Sequence, residues 1–448
     1  MTKNFSILFF LTLVFLNACN GKFEDDITSN GSLQTFSLQL SYPEDSPYGA
    51  SEGVEVTLTD NSGSVFIGTT DKNGVAEFKI PCGIYSASVS DEKGIYVFNG
   101  KLSDIIITSS KEVFSTVKLS TANINKVVIK ELYCGGCQLD DGGGYTRHDK
   151  YVTVYNNSSD TLEINNFALG VGTPYNSSGT NPNYSQGELI YADQGFTPAA
   201  MGIWYYPGTL EFLPYEEKVI SIYGAIDHTV TYSNSVNLAK KEYYVLYDET
   251  CEKYSADTHY YPAPYEGIPK SHYFRALVYG LGSTWIVSVT SPCFFVFTLD
   301  QDPAEFSLDE NNHYFEGGKS GSWGAYGSCL KIPNKNILDA LEVFTTRYDG
   351  NKKRLSPEID GGYVWHTNQY GYTLYRNVNA AATEKLPENS GKIVYGYSLG
   401  TSDIEKGSTD PSGIDAEASI KNGAHIIYCN TNNSSNDFHQ RRIAAIKN

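Results

Sequence analysis

From residue 33 to 120 apolar positions recur at every second residue. "TFSLQLSY" (35–42), "VEVTLTD" (54–60) and "SVFIGTT" (64–70) each alternate apolar with polar, the period of a strand with one buried face. Between strands, Asp71-Lys72-Asn73-Gly74 predicts a turn with a positive φ at the glycine. Val75, Phe78 and Ile80 begin the next strand, and Pro81-Cys82-Gly83 turns the chain again before "IYSASVS". Further on, 127–132 and 150–155 read as strands separated by a Gly-rich loop. Leu162, Ile164, Phe167 and Leu169 mark a third, and "EFLPYEEKVISIYG" (211–224) adds more. From 170 to 335 short strands such as "RALVYG" and "TWIVSV" punctuate long aromatic, turn-rich segments, which read as a large insertion or a second β-sheet layer, with loops that carry function or pack as side structure. "NKNILDALEVF" (334–344) predicts a helix of about three turns, with Asn336 as cap and Ile337, Leu338, Leu341 and Phe344 on one face. "GYVWHTNQYGYTLYR" (362–376), Ile393-Val394-Tyr395 and "GAHIIYC" (423–429) return to strand character. The pattern as a whole predicts an all-β protein.

The first residues follow a different logic. Lys3 precedes the apolar run "FSILFFLTLVFL" (5–16), which is short for a membrane-spanning helix. Leu16-Asn17-Ala18-Cys19 resembles a bacterial lipobox, so 1–18 reads as a lipoprotein signal peptide and Cys19 as the lipidated residue. Several acyl chains, palmitate among them, would hold the chain on a membrane, at about 0.8 kcal/mol per buried methylene. Residues 19–32 read as a flexible, lipidated tether. Within it, Glu24-Asp25-Asp26 resembles the export signal that sends Bacteroides-type lipoproteins to the outer face of the outer membrane.

The net charge of −18 makes nucleic acid and anionic lipid headgroups poor partners. Thirty-five tyrosines suit half-buried strands, where the ring packs and the hydroxyl stays wet. Seven cysteines remain beside Cys19, an odd number that leaves at least one unpaired.

Two stretches carry family resemblances. The pattern T-D-x-N-G-x-A-x-F-x-x-P-x-G-x-Y at 70–85 resembles the carboxypeptidase-regulatory, prealbumin-like β-sandwich. That resemblance implies a non-catalytic stalk over 33–120. Glu131, Tyr151-Val152-Thr153-Val154-Tyr155-Asn156 and the stretch Leu162 to Leu169 resemble the opening of a lamin-tail-like, immunoglobulin-type β-sandwich. Phe167 stands where that family usually has Trp, and Thr153 where it usually has Glu. The resemblance implies a larger lamin-tail-like β-domain over 124–448 with long insertions. The chain also resembles an uncharacterised family of Bacteroides outer-membrane lipoproteins, whose ends carry a similar "D-T-N-N-S-x-x-D-F" tract. Here Cys429-Asn430 precede Thr431, so its first Asp is missing. Genes of that family often lie beside TonB-dependent transporters, which is the route to a TonB-dependent uptake role.

Several motifs invite chemistry. Gly396-Tyr397-Ser398-Leu399-Gly400 fits the G-x-S-x-G nucleophile elbow, with Asp403 and His425 following in hydrolase order. An elbow needs a helix at once after the serine, and Gly407, Pro411 and Gly413 deny it one. Ser398 therefore reads as a serine in a strand-end turn, with no catalytic residue assigned. Cys134-Gly-Gly-Cys137 reads as a local disulfide or two free thiols; a metal site with His148 would need further ligands. "GGKS" (317–320) has His313 where a P-loop needs its leading Gly. "LDDGGGY" (139–145) is a solvated acidic loop that needs no calcium. Asp160-Thr161-Leu162 resembles a short O-glycosylation signal with Thr161 as acceptor.

The resulting expectation is a surface-exposed, lipid-anchored outer-membrane lipoprotein that binds without catalysing, with no cofactor or metal. A TonB-dependent transporter is the expected partner, and a glycan, cofactor or protein the expected ligand. Trp204, Tyr205, Tyr206, Tyr260, Tyr261 and Tyr265 form the expected contact surface. The alternatives are a structural or adhesive surface protein and, behind it, a serine hydrolase using Ser398.

Overall fold

The computed structural model describes residues 33–447 apart from 44, 45, 47, 51, 94, 95, 110–112, 124 and 125. Cys19 and its acidic tether lie outside the described residues. The chain divides into two compact units. One takes in the residues up to Ser41 with Ala50–Ala87 and Leu102–Val117; the other takes in Tyr42–Gly49, Ser88–Lys101 and everything from Lys118 onward. Among the described residues no helix is long and apolar enough to cross a membrane.

In the first unit, Val75–Ile80, Gln34–Ser41 and Val113–Lys118 form a three-stranded sheet in that order. Strands Glu55–Asp60 and Val65–Thr69 pair antiparallel. Period two does what the sequence implies: Phe36, Leu38, Val56, Leu58 and Phe78 point inward and are buried. The turn at Asp71 is built by its own carboxylate, which accepts from the backbone N–H of Val75 (2.9 Å) and Asn73 (2.9 Å). Those bonds, Val75 first, hold its carboxyl below the usual range. Gly74 takes φ 75°, a conformation that costs other residues a Cβ clash.

The second unit is a β-sandwich with both outer faces covered. One six-stranded sheet runs Tyr244–Val245, Glu217–Ser221, Tyr151–Asn156, Val127–Tyr133, Thr373–Arg376, Phe438–Arg441. The other runs Arg275–Val278, Gly202–Tyr205, Ala168–Val171, Cys293–Phe297, Ile337–Thr345, Val364–His366. Their facing side chains share one core, with Ile129, Val152, Val154 and Leu374 from the first and Leu169, Phe294, Val296 and Leu341 from the second. Each fully buried side chain of this kind contributes roughly 1.5–3 kcal/mol. Behind the first sheet, Val128, Tyr155 and Tyr375 pack against Ile414, Ala416, Ile426 and Tyr428 from the C-terminal segment. Behind the second, Ala168, Ile203, Phe295 and Phe297 pack with Leu330 and Ile332. The architecture is all-β, with only short helices between strands.

The structure departs from the sequence pattern in three places. The helix expected over 334–344 is instead a 3-10 turn, Asn334–Asn336, followed by the strand Ile337–Thr345. That strand is covered on both faces, so it reads as a continuous apolar run and matches a helical face by coincidence. Its two acids, Asp339 and Glu342, would line the polar side of a helix; here both are buried and paired with Arg376 and Arg354. The strand expected over 423–429 reduces to one bridge, Tyr428 to Val378. Its N–H groups bond to side chains, Ile427 to Thr383 Oγ1 (3.0 Å) and Tyr428 to Asn157 Oδ1 (2.8 Å). Likewise Ile393-Val394-Tyr395 keeps only a bridge from Tyr395 to Ile414, while the Val394 N–H bonds Ser419 Oγ (2.9 Å).

Candidate functional site

The densest chemistry of the second unit lies between its first sheet and the C-terminal cover. It begins with an irregularity in the Val127–Tyr133 strand. Thr153 faces Glu131 and Val154 faces Ile129, so Lys130 is an extra residue in a β-bulge. A bulge turns two successive side chains to one side, and Lys130 and Glu131 both face the cover. Across the sheet Glu131 is followed by Tyr375 and then His439, in register on neighbouring strands. Arg441, two residues beyond His439, shares that face.

The cover supplies the partners. Lys130 Nζ lies 2.8 Å from Glu417 Oε1 and also pairs with Glu217. Tyr375 donates its hydroxyl to Glu417 Oε1 (2.6 Å), and its hydroxyl meets that of Tyr428 at 2.9 Å. Glu131 accepts from the Tyr151 hydroxyl (2.7 Å) and the Ala445 N–H (2.9 Å). Burial opposes charge throughout. It raises the Glu131 carboxyl above the ordinary range. It would lower the Lys130 ammonium and raise the Glu417 carboxyl, but these two groups overcome it in each other: Lys130 rises well above its ordinary value and Glu417 falls below its own.

A second chain of bonds runs beside this pair. Tyr397 and His439 Nε2 are 2.5 Å apart, and His439 Nδ1 lies 2.7 Å from Asn377 Oδ1. With Nδ1–H donated to Asn377, Nε2 accepts the Tyr397 hydroxyl. Burial, helped by the Arg441 charge, pushes the His439 ring down to about 3. A neutral imidazole and a phenol whose ionisation burial makes harder fix geometry; neither is tuned to exchange a proton near neutrality.

Arg441 is the exception in this layer. It is 1 % exposed, its Cζ sits 4.8 Å from the Tyr375 ring centroid, and none of its three guanidinium nitrogens has a hydrogen-bond partner. The recess beside it is lined by Tyr375, Tyr397, Asp410, Ile414 to Glu417 and His439. Tyr397, Asp415 and Glu417 are half-buried, whereas the Arg441 nitrogens themselves are closed to solvent.

The residues singled out by sequence fall in different places. Ser398 is exposed, beside the recess but outside it. Asp403 pairs with Arg442, and His425 stacks on Tyr215 at 4.4 Å. No hydrogen bond joins Ser398, Asp403 and His425. Cys134 and Cys137 are both free and buried, the second of the two arrangements their spacing allowed. Burial pushes their thiols up to about 12 and about 11, so both stay protonated. His148 packs on His259 (4.1 Å) and Tyr260 (4.7 Å), and burial and His259 push it down to about 4. Among the described residues no three His, Cys, Asp or Glu gather as a metal site. Asp141 accepts from the Gly143 N–H (2.8 Å) within this acidic loop, and Asp140 accepts from the Ser233 N–H (3.0 Å), tying the loop to a neighbouring segment. His313 stacks on Trp323 at 3.5 Å.

The aromatic contact surface needs correction. Trp204 is 0 % exposed and Tyr261 2 %; they pack with Tyr254 in the core and cannot touch a partner. Alternation along Gly202–Tyr205 explains it, since Trp204 faces the sandwich interior. Tyr205, Tyr206 and Tyr260 are half-buried, and Tyr265 is 44 % exposed. Thr161 is exposed.

Sequence reasoning missed Arg441, His439 and Tyr397. The readable signal was charge inside apolar strands: Lys130-Glu131 within "VVIKELY" and Arg441 ending "FHQR". Charged residues are seldom wholly buried without a partner.

Comparison with known proteins finds a family of unknown function similar to part of the chain. A family model described as a protein of unknown function (DUF4876) matches residues 213–396. No curated protein matches the chain. Among solved structures, a DUF4876 family protein from Bacteroides thetaiotaomicron VPI-5482 is 19% identical with a TM-score of 0.49, covering 92% of this chain and 95% of that one. A DUF3823 family protein from Parabacteroides merdae ATCC 43184 is 10% identical over 41% of this chain and 80% of its own, at TM-score 0.16. A streptococcal ancillary pilin is 13% identical over 44% of this chain and 52% of its own, also at TM-score 0.16.

Proposed function

We propose that this chain is a lipid-anchored protein of the outer-membrane surface, whose larger β-domain binds a ligand or partner without catalysing a reaction, in the service of TonB-dependent uptake. The observation that carries the reading is Leu16-Asn17-Ala18-Cys19 directly behind an apolar run. Glu24-Asp25-Asp26 supports display on the outer face. The binding role draws support from the half-buried Tyr205, Tyr206 and Tyr260 and the exposed Tyr265, the expected contact residues that stay at the surface. The exposed Thr161 is accessible as a glycan acceptor.

Cells grown with an alkyne palmitate analogue should label the wild-type chain and leave Cys19→Ala unlabelled and released from the membrane fraction. Equal labelling of both would remove the anchor from the reading. Protease added to intact cells should then digest the wild-type protein, and complete protection would place it on the inner side. Co-purification of a TonB-dependent transporter from outer membranes supports the uptake role; its absence favours the adhesive alternative. Turnover of an ester substrate that vanishes in Ser398→Ala would replace the binding reading by a hydrolase.

A further inference from the structure

One end of the sandwich is built from loops tied to one another. Ala168–Val171, Ile337–Thr345 and Val364–His366 end there, and Cys293–Phe297 begins there. From the other sheet Val127–Tyr133 ends there and Thr373–Arg376 begins. The N–H groups of Gln369 and Gly371 donate to the carbonyls of Gly135 (3.0 Å) and Gly136 (2.9 Å). The Thr346 and Thr367 hydroxyls meet at 3.0 Å, and the Lys352 N–H donates to the Ser177 carbonyl (2.9 Å). The Ser177 N–H in turn donates to Ser291 Oγ (3.0 Å). Loops 134–150, 172–187, 283–292, 346–353 and 366–372 therefore make one continuous surface. His148 packs on Tyr260 (4.7 Å), so one of the expected contact residues borders it.

Three tyrosines stand out from this surface: Tyr175, Tyr348 and Tyr370 are 52%, 52% and 56% exposed. Two of the rings are held from behind. Tyr372 stacks on Tyr370 with centroids 5.6 Å apart, and the Arg347 guanidinium lies 5.6 Å from the Tyr348 centroid. A ring backed on one face and more than half exposed keeps its other face open, already oriented. Charge is sparse around them. Residues 172–187, 283–292 and 366–372 contain no Asp, Glu, Lys or Arg. In the other two loops exposed Arg147, Arg347 and Lys352 balance exposed Asp140, Asp141 and Asp349, on a chain of net charge −18. Aliphatic surface is sparse too: among the described residues of these loops Ile286 is the one large aliphatic side chain that is exposed. The surface thus lacks the apolar centre that a protein interface uses and the single sign of charge that an ionic ligand selects. What it offers is open aromatic faces among Asn, Ser and Thr. The negative face of a tyrosine ring attracts the polarised C–H groups of a sugar, and amides and hydroxyls pair with sugar hydroxyls. We propose that this end of the sandwich binds an uncharged glycan, its sugar rings laid against Tyr348 and Tyr370, with Tyr175 extending the contact. This rests on the binding role proposed above and deepens it by naming the ligand's chemistry.

The test runs the purified chain through native gels that contain, in turn, dextran, galactomannan, arabinoxylan or xyloglucan, with polygalacturonate and heparin as charged comparisons. At least one of the four neutral polymers should retard the wild type. Tyr348→Ala combined with Tyr370→Ala should weaken that retention by about tenfold, the loss of two stacking contacts, with an unchanged circular dichroism spectrum. Tyr395→Ala removes an equally exposed ring from the C-terminal cover and should bind as the wild type does. No retardation by any neutral polymer would overturn the proposal and leave this surface to a protein partner. Stronger retention by polygalacturonate or heparin, or undiminished retention of the folded double variant, would overturn it as well. If retention survives the double variant but is lost in Tyr206→Ala with Tyr265→Ala, the binding role stands and its placement at this end fails, so the two readings are told apart.

Discussion

Glu342→Gln should destabilise the protein by about 3–5 kcal/mol, the cost of leaving a buried charge without its partner. Glu342 and Arg354 are both 0% exposed, and Glu342 Oε2 also accepts the Leu355 N–H (3.0 Å). One substitution therefore strands the guanidinium and disturbs the loop that carries it. The pair need not be net stabilising. Removing both charges together, as Glu342→Met with Arg354→Met, should cost less than the sum of the two single changes, because neither then leaves an unpaired ion. Urea unfolding midpoints with unchanged slopes would measure this. A single-variant loss below about 1 kcal/mol would show that the buried charge finds another acceptor.

The second large effect is a dependence on pH. His439 is 1 % exposed and its folded pKa is about 3, against about 6.5 for a free histidine. Its folded value is depressed, so its stabilising contribution is complete above the unfolded value and is lost as pH falls. Between pH 6.5 and 3 the unfolded chain takes up a proton there and the folded chain does not. That makes unfolding easier by about 1.4 kcal/mol per pH unit, about 5 kcal/mol across the window. The groups facing the ring are Arg441, Tyr375 and Tyr397. Other buried carboxyls, among them Glu131, Asp339 and Asp437, are shifted upward by burial and bias the total in the opposite sense. The difference between wild type and His439→Gln isolates the one term. Glutamine retains hydrogen-bonding capacity toward Tyr397 and Asn377 but does not titrate. From pH 6.5 to 5 the wild type should lose about 2 kcal/mol relative to the variant. Parallel stability curves would mean that His439 protonates freely in the fold.

How much was legible depends on how many faces of each strand are covered. Gln34–Ser41 has one buried face, and its alternation of buried and half-buried positions is written directly in the sequence. Ile337–Thr345 has two, so alternation disappears and the helical spacing of Ile337, Leu338, Leu341 and Phe344 misleads. The aromatic insertion misled for a related reason: tyrosine-rich stretches suit a wet contact surface and a packed core equally well, and only the fold places Trp204 and Tyr261 inside. The layer around Arg441 was hidden because its members come from residues 130–131, 375, 397, 417, 428 and 439–441. No local spacing joins them. "GYSLG" drew attention to Ser398, whereas the residue that matters in that stretch is its neighbour Tyr397, held to His439.

The order of strands in the first sheet of the sandwich has a kinetic meaning. Val127–Tyr133 finds a partner in Thr373–Arg376, which in turn holds Phe438–Arg441; the Thr373 hydroxyl reaches the Leu132 carbonyl across 241 positions of chain. Contacts of such span close slowly, because loop entropy is spent before they form. As the chain emerges from a ribosome in order, the edge of Val127–Tyr133 waits for almost the whole remainder to arrive. An unpaired strand edge is a template for wrong partners. The protein's most exposed moment is thus its own synthesis, and a holdase that covers this edge should raise its yield.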